Sequence, residues 1–202
     1  MSGYHVPAET ARAETEVSRS RFIATAGNAE TVEAARAFIA AIRAEMPDAS
    51  HHVYAFKVGY GASVQEGMSD DGEPTGTSGP PILELLRGAD LGDVVMVVTR
   101  YFGGTKLGTG GLVRAYREAA RAALTLCTLR EKLELKQLEL TLPYALYEQV
   151  KRLMTGHHAT IDREAFGAEI ILVCTLPLTE VDALTVALRN LSAGRIIPNP
   201  IG

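Results

Sequence analysis

The stretch Val94–Cys127, VVMVVTRYFGGTKLGTGGLVRAYREAARAALTLC, restricts the fold more than any other part of the chain. Its apolar, largely β-branched start, Val94 to Val98, ends at Thr99, as expected of a strand buried on both faces. A loop follows that carries Arg100, Tyr101, Phe102 and Lys106, and in it Gly103, Gly104, Gly108, Gly110 and Gly111 crowd together. So many permissive positions predict a tightly folded loop with positive φ angles or close backbone approach. A helix opening at Gly110 and Gly111 and running to Cys127 completes the unit.

Around this stretch the pattern is mixed. Residues Met1 to Ser18 are polar and weakly patterned and carry no predicted element. Ser20 to Ala26 reads as a short strand, with Phe22 and Ala24 on one face and Ile23 on the other. Asn28 is the expected N-cap of a helix whose apolar residues run from Val32 to Met46 at helical spacing, stopped by Pro47. HHVYAFKVG, His51 to Gly59, alternates as a half-buried strand. A polar loop from Gly61 to Gly79 is long enough to suggest function, and Pro80 and Pro81 open a short helix, ILELLRG.

Beyond Cys127 the texture changes. The leucines of LELKQLELTL switch phase between Leu135 and Leu138, which predicts a bulge near Lys136 and Gln137. Tyr144 to Met154 and Val181 to Leu191 read as helices. His157 to Phe166, Glu169 to Leu176 and Arg195 to Ile197 read as strands. The resulting β-α-β-β-α-β order is the split βαβ, or ferredoxin-like, arrangement. A boundary near Thr128 to Arg130 divides the chain into domains 1–127 and 128–202.

Three features could carry chemistry. At about 100° per residue, Arg114, Arg117 and Arg121 share one face of the Gly110 helix, opposite Leu112, Tyr116 and Ala119. With Arg100, Lys106 and the helix N-terminus they make a candidate phosphate-binding surface, on which Tyr101 and Phe102 could stack bases. The alternative is a solvated face in which Glu118 pairs with Arg114 and Arg121 while the aromatic rings fill the core. The second feature is Asp70-Asp71-Gly72-Glu73-Pro74, whose carboxylates suit either Mg²⁺ and general acid–base work or turn formation and the orientation of arginines. Third, the pairs His51-His52 and His157-His158 sit where neighbouring side chains diverge, so each reads as one packed and one exposed histidine, with no shared metal.

Several classes are excluded. The glycine loop lacks the G-K-[ST] ending of a P-loop and the G-x-G-x-x-G spacing of a dinucleotide fold, and no nucleophile elbow is present. The 202 residues carry a net charge of −4, and neither half is basic, which weighs against a protein that coats nucleic acid broadly. Cys127 and Cys174 lie in apolar patterns and read as reduced core cysteines. No apolar leader or spanning run is present, which predicts a cytoplasmic protein.

SDDGEPTGTSGPPIL and TRYFGGTKLGTGGLVRAY together strongly resemble the signature of the IMPACT (YigZ-type) family, and the resemblance runs from about Ser20 to the C-terminus. It implies an α+β chain: an N-terminal domain of the ribosomal-protein-S5 domain-2-like fold and a ferredoxin-like C-terminal domain, together similar to the last two domains of translocation factor EF-G. The matching positions are Asp70, Asp71, Gly72, Glu73 and Pro74 in one loop. In the other they are Arg100, Tyr101, Phe102, Gly103, Gly104, Lys106, Leu107, Gly108, Gly110, Gly111 and Arg114. Where the family often has an arginine after T-A-G, this chain has Pro80 after Thr77-Ser78-Gly79, so one cation of the expected patch is missing. The resemblance implies regulation of translation. The reading drawn from it is a non-catalytic protein without cofactor or metal that binds RNA, the ribosome or a translation-associated protein through the face of Arg100, Lys106, Arg114 and Arg117, with Arg121 behind them. The alternatives are an Mg²⁺-dependent phosphate-ester or nucleotide hydrolase using Asp70, Asp71 and Glu73, and a protein-interaction module with no nucleic-acid partner.

Overall fold

The computed structural model describes residues 3–61 and 63–201; Met1, Ser2, Ala62 and Gly202 lie outside the described residues. Its elements, in chain order, begin with β1 (Gly3–Pro7), β2 (Ala11–Val17), β3 (Ser20–Asn28), α1 (Val32–Glu45), β4 (His51–Val58) and β5 (Gln65–Ser69). They continue with α2 (Gly79–Gly88), β6 (Val94–Tyr101), α3 (Gly108–Leu126), β7 (Leu129–Leu133) and β8 (Leu135–Leu142). The last are α4 (Tyr147–Gly156), β9 (Thr160–Phe166), β10 (Ile170–Pro177), α5 (Val181–Ser192) and β11 (Asn199–Ile201). The chain forms two compact units, divided between Lys132 and Leu133. This lies past the expected 127/128 boundary, because β7 pairs with β1.

In the N-terminal unit, five antiparallel strands stand in the order β2-β3-β6-β4-β5. Helices cover both faces. Phe22, Ala24, Val53, Ala55, Val94, Met96 and Val98 face α2 and α3, whereas Ile23, Phe56, Val95 and Val97 face α1. Central β6 is therefore buried on both sides, as its unbroken apolar run requires. β4 differs from expectation: it is covered on both faces by different helical layers, with His52 buried and His51 half-buried.

The polar, weakly patterned start of the chain, for which no element is predicted, contains two strands, Gly3–Pro7 and Ala11–Val17. β2 alternates small inward residues with Arg12, Glu14 and Glu16, and its inner face packs under α3 through Ala13 and Val17. Strand β5 lies inside the segment expected to be loop; QEGMS carries no apolar alternation because it is an exposed sheet edge. Helix α1 is capped by Thr31, not Asn28: its hydroxyl accepts from Ala34 N at 3.0 Å. Asn28 instead ends β3. α2 carries Pro80 and Pro81 in its first turn, as expected.

The C-terminal unit has the sheet order β11-β8-β10-β9, antiparallel throughout, with α4 and α5 on one face. The third strand lies between the first two and the first lies beside the last, the ferredoxin-like order. The expected bulge at Lys136–Gln137 is absent, since β8 pairs with β10 without interruption from Leu135 to Leu142. The phase change arises because Leu135, at the start of β8, is exposed, whereas Leu138, Leu140 and Leu142 are buried in the core; the register shift falls instead between Val173 and Cys174. His157 ends α4 and does not begin a strand; its Nδ1 lies 2.8 Å from Glu180, and His158 has a positive φ of 56°. The final strand is Asn199–Ile201, later than expected. Among the described residues no helix is long and apolar enough to cross a membrane.

Candidate functional site

Alternation along β6 decides where Arg100 goes. Val94, Met96 and Val98 point toward α2 and α3. Because the strand continues to Tyr101, Arg100 falls in the same phase and projects beneath α3. It is 4% exposed, so it is not the surface cation expected from the sequence. Its Nη1 donates to Glu73 Oε1 at 2.6 Å and its Nη2 to Ser20 Oγ at 3.2 Å. The guanidinium also stacks over Phe22 and Phe102, 5.3 and 5.4 Å from their ring centroids.

Glu73 is the anchor of this network. It is 8% exposed, and the same Oε1 accepts from Tyr116 Oη at 2.8 Å. Burial, then the Glu73 hydrogen bond and charge, raise the Tyr116 pKa, so the phenol stays a donor. Taking either ion alone out of water costs several kcal/mol, and the pair with its extra hydrogen bonds offsets that. The two signature loops thus meet through a carboxylate that orients an arginine.

The other two carboxylates of the acidic loop point elsewhere. Asp70 accepts from the backbone N–H groups of Gly76, Ser78 and Gly79 at 2.8–2.9 Å, closing the loop onto the start of α2. Burial alone would raise its pKa; the three N–H groups outweigh this and lower it. Asp71 pairs with Arg43 and accepts from His52 N at 2.7 Å. Its carbonyl accepts from His51 Nδ1 at 2.8 Å, which fixes the proton on that nitrogen and leaves Nε2 3.8 Å from Glu73. Asp71 and Gly72 both adopt positive φ, 47° and 86°, and this tight turn separates the three side chains. Among the described residues no group of three or more His, Cys, Asp or Glu is placed to hold a metal ion.

In the glycine loop, Gly103 crosses the β2–β3 turn so closely that a Cβ would sit 2.1 Å from the Arg19 carbonyl carbon. Gly103 N donates to Ser20 Oγ at 3.1 Å, so one hydroxyl ties Arg100 to the loop above it. Gly104 and Gly108 have φ of 84° and 71°, and Gly108 starts α3 two residues earlier than the sequence suggests. Gly110 and Gly111 lie in its first turn, which has no capping side chain and no acidic residue.

Between the two loops opens a cleft of about 390 Å³, with Glu73 and Arg100 in its wall and Pro74, Phe102, Lys106 and Leu112 around it. His51 also lines it, a residue that the sequence presents only as one of a pair. Lys106 is exposed and Phe102 is 50% exposed, while Tyr101 is half-buried against Arg21.

The arginine stripe is a separate feature. Arg114, Arg117 and Arg121 are exposed on the side of α3 opposite buried Leu112, Tyr116, Ala119 and Ala123. Arg117 pairs with Glu84 at 3.1 Å. Arg114 and Arg121 make no ion pair with any described residue, Glu118 included. What the sequence presented as one basic face is therefore a cleft over a neutralised pair and a solvent-facing stripe.

Fold and site together define a two-domain α+β protein whose N-terminal unit joins an acidic and a glycine-rich loop through a buried ion pair. The chain belongs to the IMPACT family. The Impact N-terminal domain matches residues 18–124, and a domain of unknown function, DUF1949, matches residues 140–195. An IMPACT family member of Haemophilus influenzae is 39% identical over 98% of this chain and 96% of its own length. IMPACT family member YigZ of Escherichia coli is 36% identical over 97% of each. The crystal structure of a hypothetical protein, 36% identical, matches with a TM-score of 0.76 over 100% of this chain and 98% of that one.

Proposed function

We propose that this protein is a cytoplasmic, translation-linked regulator that binds RNA, free or on the ribosome, through the exposed cations of α3 and its preceding loop. Family membership supports the link to translation. The observation that carries RNA as the ligand is the stripe itself: Arg114 and Arg121 stand exposed on a long helix without acidic partners among the described residues, and Lys106 is a further exposed cation in the preceding loop. Arg100 has no part in it as a phosphate ligand, because its charge is spent on Glu73.

The test is a salt titration of labelled single-stranded RNA binding, with wild type and Arg114→Glu/Arg121→Glu. Every phosphate that goes unneutralised in the variant should remove about 0.7 from the slope of log K against log salt. Unchanged affinity and slope at every salt concentration would overturn the proposal. Pull-down from lysate with and without nuclease separates RNA from a protein partner: capture that survives nuclease and ignores the stripe favours a protein-interaction module.

A further inference from the structure

We infer that the cleft between the two signature loops binds one nucleotide unit, its phosphate held by Lys106 and the start of α3 and its base stacked on Phe102. The inference rests on the proposed RNA-binding role and names the ligand chemistry of a place distinct from the arginine stripe.

Four observations converge there. First, Lys106 lines the cleft and has no ionic partner among the described residues. Because Arg100 and Glu73 neutralise each other, Lys106 gives the cleft an uncompensated positive charge. The first turn of α3 adds N–H groups that no side chain caps, on a backbone left bare by glycine: a Cβ at Gly108 or Gly110 would meet nothing within 4 Å. Second, Arg100 Nε is buried and without a hydrogen-bond partner, and Arg100 lines this cleft. An orphaned donor on a charged group is costly inside a protein, and it leaves the Arg100 N–H sensitive to what occupies the cleft beside it.

Third, Phe102 is half-exposed with the Arg100 guanidinium stacked against it, so its remaining surface is an aromatic platform at the cleft. Fourth, the cleft volume of about 390 Å³ suits a small molecule, and Pro74, Leu107 and Leu112 supply apolar wall. An anion site beside a stacking platform fits a nucleotide better than a bare phosphate or a carboxylate. A base reaches such a platform only when unstacked, so the source is a free mononucleotide or single-stranded RNA, not a duplex.

The experiment titrates full-length protein with 5′-AMP, adenosine, inorganic phosphate and decameric oligo(A), following amide and arginine Nε–H signals by NMR. With wild-type protein, 5′-AMP should shift the amides of Thr109, Gly110 and Gly111 and the Arg100 Nε–H. Adenosine and phosphate should bind at least ten-fold more weakly. Phe102→Ala and Lys106→Ala should each weaken 5′-AMP binding about ten-fold, while Arg114→Glu/Arg121→Glu leaves it unchanged. Shifts confined to other residues, or binding of phosphate as tight as that of 5′-AMP, would overturn the inference. Oligo(A) binding that depends on the stripe but not on Phe102 would sink the nucleotide cleft and leave the RNA proposal standing. Cleft binding of 5′-AMP without oligo(A) binding would do the reverse.

Discussion

Arg100 and Arg114 lie close in sequence, carry the same charge and belong to the same signature, yet they do opposite work. Arg100 ends a central strand in the phase of the core and is held between two aromatic rings by Glu73 and Ser20. Arg114 stands exposed on the outer side of α3. The first charge has lost its hydration and must be matched inside the protein; the second keeps its hydration and is available to a ligand. The fate of a cation therefore depends on the phase of the element that carries it, and a cluster of basic residues in sequence need not be a basic patch in space.

The largest test of this contrast is Glu73→Leu, which strands Arg100 in the core. It should cost about 3–5 kcal/mol in urea unfolding, and adding Arg100→Met should recover much of that by removing the orphaned charge. A single-variant loss below about 1 kcal/mol would erase the distinction between the two arginines. Tyr116→Phe removes one hydrogen bond to the same carboxylate and should cost roughly 1.5–3 kcal/mol.

Next comes Asp70→Asn, expected to cost about 0.5–2 kcal/mol, the range of a lost helix-start cap. The pKa of Asp70 is lowered in the fold, so its contribution is complete above the unfolded carboxylate range and fades as pH falls through the folded value. The variant should therefore flatten the acid side of a stability–pH curve, leaving the neutral region lower and level. The smallest effect belongs to the stripe. Arg114→Glu should shift stability by less than about 0.5 kcal/mol, and breaking Arg117–Glu84 with Arg117→Ala by about 0–1 kcal/mol. Their main consequence should appear in RNA affinity, with the melting temperature moved by no more than about 4 °C.

Much of this was legible beforehand where a pattern had only one physical meaning. The apolar run of β6, the two proline residues that open α2, the amphipathic face of α3 and the β-α-β-β-α-β order all found their places. The misses have a common cause in weak or short patterns. β2 buries small residues and β5 is an exposed edge, so neither writes a strong alternation, and Thr31 and Asn28 are both acceptable caps until the chain path chooses one. Extending the alternation of β6 one step further would have placed Arg100 inside. No local signal pointed to Ser20 or to His51 as a cleft residue.

The sequence by itself pointed to the family through the resemblance of its two signature motifs, and it determined the class of most elements and which side of α3 would be wet, because periodicity is a property of a local segment. Only the tertiary structure decided that Glu73 would meet Arg100, that Asp70, Asp71 and Glu73 would diverge, and that a cleft would open apart from the arginine stripe. Those outcomes join residues brought together by sheet register and helix packing, and the burial that sets the worth of each charge exists only once the layers have closed.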